Sequence, residues 1–227
     1  MRLPALATLL FLYPVAIPAT PSESDKTVLI TADPSPQAVG TSLRPAARDE
    51  ALPRVRWSNR GRGALWSRAA ISALRGHASG LPDMVPQDID TWCPAYSSAG
   101  REQREAFWVG LLSALAKHES TYRPTAVGGG GRWYGLLQIL PGTARGYGCR
   151  ASTGAALMHG PSNLSCALRI MAKTVRRDGV VAQGMRGVAA DWGPFHNRSK
   201  RGDMIAWTRA QTYCQPLSAT RPKARPS

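Results

Sequence analysis

The chain has 227 residues, with 29 Lys and Arg against 14 Asp and Glu and a formal net charge of +15. A basic excess of that size is common among proteins that meet nucleic acid, but no zinc-finger or RRM-like motif accompanies it, so nucleic acid is not an expected partner. The charge does imply a screened, weakly specific attraction to anionic surfaces.

At the N-terminus, Met1-Arg2 precedes an apolar run over 3–19 centred on Leu9, Leu10, Phe11 and Leu12, with small residues at Ala16 and Ala19. Charged, apolar and small-residue regions in that order predict a signal peptide over 1–19, and hence export. A membrane anchor is the competing reading. Against it, the run is shorter than the roughly 20 residues a spanning helix needs, and Pro14 and Pro18 interrupt it. Residues 20–80 are expected to form a flexible tether, rich in Pro, Ser, Thr and Ala at first and then in Arg. Within it Leu65, Trp66, Ala69, Ile71 and Leu74 make one weak amphipathic pattern.

The compact domain is placed at 81–214, close to the usual size of a single domain, with a basic disordered tail over 215–227. Phe107, Leu111 and Leu115, flanked by Trp108 and Leu112, recur at helical spacing and predict a helix over 101–118. Pro124 stops it. The glycine run 128–131 is a loop, and Pro141 suits the first turn of a short helix. Ser162 or Asn163 is expected to cap a helix running to Asp178, closed by Gly179. Further helices are expected over 180–192 and 203–214, the second capped by Asp203. Strand alternation is nearly absent, so the domain reads as mainly α.

All four cysteines, Cys93, Cys149, Cys166 and Cys214, lie in the compact region. An even count in an exported chain favours two disulfides. Of the three possible pairings, the preferred one joins Cys149 to Cys166, closing a short local loop, and Cys93 to Cys214, tying the two ends of the domain. By the chain-entropy model these contribute about 3 and about 4–5 kcal/mol. No metal site is expected, because no Cys neighbours another at ligand spacing and His118, His159 and His196 are scattered.

Glu119 ends the long helix, where the helix dipole disfavours an ionised carboxylate. An acid that keeps its proton near neutral pH is what protonation of a poor leaving oxygen requires. Raising a Glu to about 6 takes roughly 2.3 kcal/mol, and the helix end supplies only about 0.3–1 kcal/mol. Burial in a cleft, beside Trp133, Tyr134 or Trp192, is expected to supply the remainder. Alone, a Glu at a helix end is an ordinary surface residue.

Its context is more specific. Glu119-Ser120, Tyr122 and Pro124 are followed by Tyr134-Gly135-Leu136-Leu137-Gln138-Ile139, then Pro141, Thr143 and Ala144. Over about 106–144, and more loosely to about 214, the chain resembles the soluble lytic transglycosylases of the lysozyme-like superfamily. The resemblance implies a lysozyme-like compact helical domain with a substrate cleft. It makes Glu119 the catalytic acid and base and Ser120 a residue that helps orient substrate. Tyr134, Gly135, Leu136 and Gln138 would form the wall of the sugar cleft. Leu137 and Ile139 read as core, whereas the amide of Gln138 needs a partner, which a sugar hydroxyl or acetamido group would supply. Where the family carries Ala-Tyr-Asn-Ala-Gly, this chain has Ala189-Ala190-Asp191-Trp192-Gly193. Trp192 then either stacks on a sugar or fills the core, and Asp191 is either a surface residue or a second carboxylate in the cleft.

The implied activity is non-hydrolytic cleavage of peptidoglycan between N-acetylmuramic acid and N-acetylglucosamine, leaving 1,6-anhydro ends. It needs no cofactor and suits a monomer, exported to periplasm or wall and drawn to anionic envelope surfaces. Two alternatives are a muramidase that activates water with Asp191 and an inactive wall-binding module.

Overall fold

The computed structural model describes residues 51–216. The expected signal peptide, the Pro- and Ser-rich stretch before 51, and the tail beyond 216 lie outside the described residues. The core begins almost at once. Trp57 is fully buried, meets Trp66 edge-on with ring centroids 5.7 Å apart, and donates its indole N–H to Ser67 Oγ at 2.9 Å. Trp66 belongs to α1 (Gly63–Arg75), which turns Ala70, Ile71, Ala73 and Leu74 inward and keeps Arg62, Arg68 and Arg75 at the surface. The expected domain start at 81 is therefore too late. Of the supposed tether, at least 55–80 is integral to the fold, since each large apolar side chain buried there contributes about 1.5–3 kcal/mol.

Two single-turn helices, α2 (Gly80–Asp83) and α3 (Ile89–Trp92), lead into α4 (Arg101–Glu119). Every residue from 105 to 116 of α4 is buried, as befits a helix that is apolar on all sides. The exception in chemistry is Glu105, whose carboxylate takes Arg75 Nε at 3.0 Å and Arg101 Nε at 3.1 Å. A buried carboxylate persists when it is paired in this way.

Beyond α4 the chain reverses through Thr121 and Tyr122, both left-handed with φ of 52° and 63°. A minimal antiparallel pair follows, β1 (Val127–Gly128) and β2 (Trp133–Tyr134), with Val127 opposite Tyr134. Next come α5 (Pro141–Gly146), α6 (Gly154–Leu157) and α7 (Gly160–Asp178). Gly179, at φ 69°, closes α7 in the left-handed cap expected of it. Neither Ser162 nor Asn163 caps that helix, which starts earlier with Pro161 in its first turn. Asn163 is instead a buried crosslink: it accepts from Leu137 N–H at 2.9 Å and donates to the carbonyls of Tyr134 and Leu157 at 2.9 and 3.0 Å.

The helix expected over 180–192 does not form. Two 3-10 turns, Gln183–Met185 and Gly187–Ala190, take its place, and a third follows at Gly193–Phe195. Gly184 and Gly187 adopt positive φ, and a Cβ on Gly187 would collide with the carbonyls of Val180 and Val181. The last helix, α8 (Arg198–Arg209), is capped by Asn197, which accepts from Lys200 N–H at 3.0 Å. Asp203 is not its cap but sits mid-helix. Cys93 is bonded to Cys214 and Cys149 to Cys166, with Cα atoms 4.6 and 5.2 Å apart. The domain is mainly helical, as its patterning predicts.

Candidate active site

The last turn of α4 brings Glu119 to a cleft of about 480 Å³. The β1–β2 hairpin contributes Gly128, Gly129 and Trp133, the following turn Gln138, the 191–194 segment its whole length, and the first turn of α8 Lys200. Four stretches of sequence thus converge on one carboxyl group. Burial pushes the Glu119 carboxyl up to about 7, against the opposing pull of Lys200. Among the described residues nothing hydrogen-bonds that carboxyl, so its proton is available to a ligand in the cleft. Of the aromatic neighbours expected to bury it, Trp133 and Trp192 line the cleft and Tyr134 does not.

The other sequence-derived candidates divide into those that face the cleft and those that build it. Gln138 faces it, on a backbone at φ 46°. Its Nε2 donates to the carbonyls of Ala126 and Gly135 at 3.1 and 2.9 Å, so the amide needs no sugar to be satisfied. Oε1 accepts nothing within the described residues and is left for a ligand. Trp192 is only 4% exposed and donates to Leu137 O at 2.9 Å, which fixes it as a wall held from behind.

Four candidates act from beneath. Ser120 is buried, and its hydroxyl turns back to Ala116 O at 3.4 Å. It caps α4 and does not reach into the cleft. Leu136 is fully buried core. Tyr134 spends its hydroxyl on Gly131 O at 2.6 Å. Gly135, at φ 81°, is where the chain passes so close to Leu157 O and the Asn163 side chain that a Cβ would collide with both.

Asp191 stands exposed at the rim, where Tyr147 donates to Oδ2 at 3.2 Å. Its carboxyl is shifted upward by partial burial, against the Tyr147 hydrogen bond and the Arg177 charge.

Sequence reasoning missed an ionic cluster behind Glu119. Asp203 accepts two hydrogen bonds from Arg56, Nη1 to Oδ2 at 2.8 Å and Nη2 to Oδ1 at 3.0 Å. Lys117 Nζ approaches the same carboxylate at 3.1 Å and His118 Nε2 at 2.8 Å. Burial disfavours the Asp203 charge, but these partners together hold its carboxyl well below the usual range. His118 is shifted downward by burial despite Asp203. Its Nε2 faces the Asp203 carboxylate, an acceptor, and so donates to it. His118 also lines the cleft, so the cluster braces the turn that carries Glu119. Asp203 lies eighty-five residues from His118 in the chain, and no local motif signals the pairing. No group of His, Cys, Asp and Glu among the described residues could hold a metal ion.

Residues 97–183 match the family model of the transglycosylase SLT domain. Among solved structures, Bd0314 DslA in its wild-type form 2 is 28% identical, with a TM-score of 0.66 over 72% of this chain and 98% of that chain. One point mutant of DslA gives 28% identity and a TM-score of 0.64 over 70% of this chain and 96% of its own. A second gives 28% and 0.65 over 71% and 97%. No curated protein matches the chain.

Proposed function

We propose that the protein, whose residues 97–183 match the family model of the transglycosylase SLT domain, is a peptidoglycan lytic transglycosylase that uses Glu119 as its acid and base. The observation that carries this reading is a carboxyl held up to about 7 by burial in a cleft, with no hydrogen-bond partner among the described residues. A group poised there is half protonated at neutral pH, which is where one residue can serve as donor and then acceptor. Glu119 gives its proton to the oxygen leaving C1 of the muramic acid. The muramic acid's own C6 hydroxyl attacks C1, and the Glu119 carboxylate takes up the hydroxyl proton. The nucleophile is already tethered to the substrate, so no second carboxylate and no water are required. Trp133, the Gln138 amide oxygen and Trp192 shape the channel in which the strand lies.

The two disulfides suit an oxidising compartment, and no described helix is long and apolar enough to cross a membrane. Both fit an enzyme exported to the wall. A second reading draws support from Asp191, which lines the same cleft with a carboxyl shifted upward. As a base it would activate water and make the enzyme a muramidase.

Digestion of purified wall followed by mass spectrometry separates the two. Transglycosylation leaves every cut end about 18 mass units below the hydrolytic product, because water never enters. Asp191→Asn then changes the rate only modestly. Reducing ends throughout, together with a 10²–10⁴-fold loss in Asp191→Asn of the size typical for a missing base, would transfer the protein to the hydrolases.

A further inference from the structure

A second cavity, of about 960 Å³, borders the same end of α4 through Lys117, Thr121 and Tyr122, and its lining is cationic. Arg54, Arg56, Arg60 and Lys117 contribute to it and no acidic residue does. Arg56 and Lys117 share Asp203 behind the wall, whereas Arg54 and Arg60 are exposed and have no ion pair among the described residues. Two of the four cations are held against rings. Arg60 lies over the Tyr122 ring at 4.9 Å, and Arg56 over Trp207 at 5.3 Å. Arg56 Nε is buried with no hydrogen-bond partner, so Asp203 does not saturate that guanidinium. The same lining holds the left-handed Thr121–Tyr122 step. A β-branched residue there is uncommon and strained, a conformation that clusters at ligand sites.

We propose that this cavity is an anion-binding subsite, separate from the cleft, that takes a free carboxylate of the peptide stems borne by the glycan strand. It rests on the peptidoglycan reading above. Guanidinium forks match a planar carboxylate in two-point contact, and the pocket meets the same end of α4 that carries Glu119 into the cleft.

The test is binding of soluble wall fragments to the full chain and to its Arg54→Gln/Arg60→Gln variant. Both side chains are exposed, so the variant should melt like the parent. For fragments with free stem carboxylates the variant should bind about 2- to 30-fold more weakly, the loss expected of two exposed charge pairs. Peptide-free glycan strands should bind both proteins equally. Amidating the stem carboxylates should weaken the parent by a similar factor, and Arg54→Lys/Arg60→Lys, which keeps the charge but loses the fork, should fall between the parent and the Gln variant. Equal binding of free and amidated fragments by the parent overturns the subsite while leaving the cleft reading intact. A parent that binds neither fragments nor peptide-free strands overturns both. A glycerol-phosphate polymer that displaces the fragments while amidation has no effect reassigns the pocket to phosphate and also overturns the carboxylate proposal.

Discussion

Glu119 shows how a single carboxyl is set by opposing influences. Its position at the end of α4 accounts for about 0.3–1 kcal/mol, so most of the rise to about 7 comes from burial, with Lys200 working against it. The sequence places this residue at a helix end, but the enclosing walls come from segments that meet only in the fold. That is why the shift exceeds the value near 6 expected from the sequence. The same shift carries a stability consequence. The unfolded chain loses the Glu119 proton near 4.5 and the folded protein near 7. This residue's contribution to stability is thus intact below pH 4.5, declines as pH rises to 7, and stays lost above it. Glu119→Gln is accordingly expected to stop cutting while raising stability at pH 8 by roughly 3 kcal/mol, with little change at pH 4. Urea unfolding at the two pH values checks it, and a variant no more stable at pH 8 than the parent would contradict the assigned burial. Above pH 7 the parent's activity should fall as its acid ionises.

Among the elements, those with a local cause were legible in the sequence. α4 has its helical spacing, α5 its Pro141, and α7 its Gly179. Segments shaped by distant partners were not. The 180–192 stretch is apolar enough for a helix, yet Gly184 and Gly187 bend it into 3-10 turns. Capping fails similarly: Asn163 and Asp203 look like helix starters, but one ties three backbone groups and the other serves Arg56, Lys117 and His118. α1 was hidden by its own surface, because the arginines that mark it as tether-like point outward while Trp66 and Leu74 point in. Trp57→Ala tests the membership of this region directly. Loss of that fully buried ring should cost about 3–5 kcal/mol, measured by denaturant unfolding. A change of under about 0.5 kcal/mol, typical of an exposed site, would return 51–80 to the status of tether.

For the whole molecule, the Cys93–Cys214 bond encloses a segment spanning 121 positions that contains α4, the hairpin and every residue of the cleft. That bond gives the region around the cleft the connectivity of a closed ring, with α1 entering from outside it. A ring cut once stays in one piece. The exposed glycines at 130 and 131, at the tip of the hairpin over the cleft, are the natural place for such a cut. Limited proteolysis there should leave a species that runs as one band without reductant and as two with it, since Cys93 remains on one fragment and Cys214 on the other. Two bands in the absence of reductant would break the pairing. A domain built this way survives a nick at the rim of its cleft as a tethered pair of halves, able to re-dock at a local concentration that dilution cannot lower.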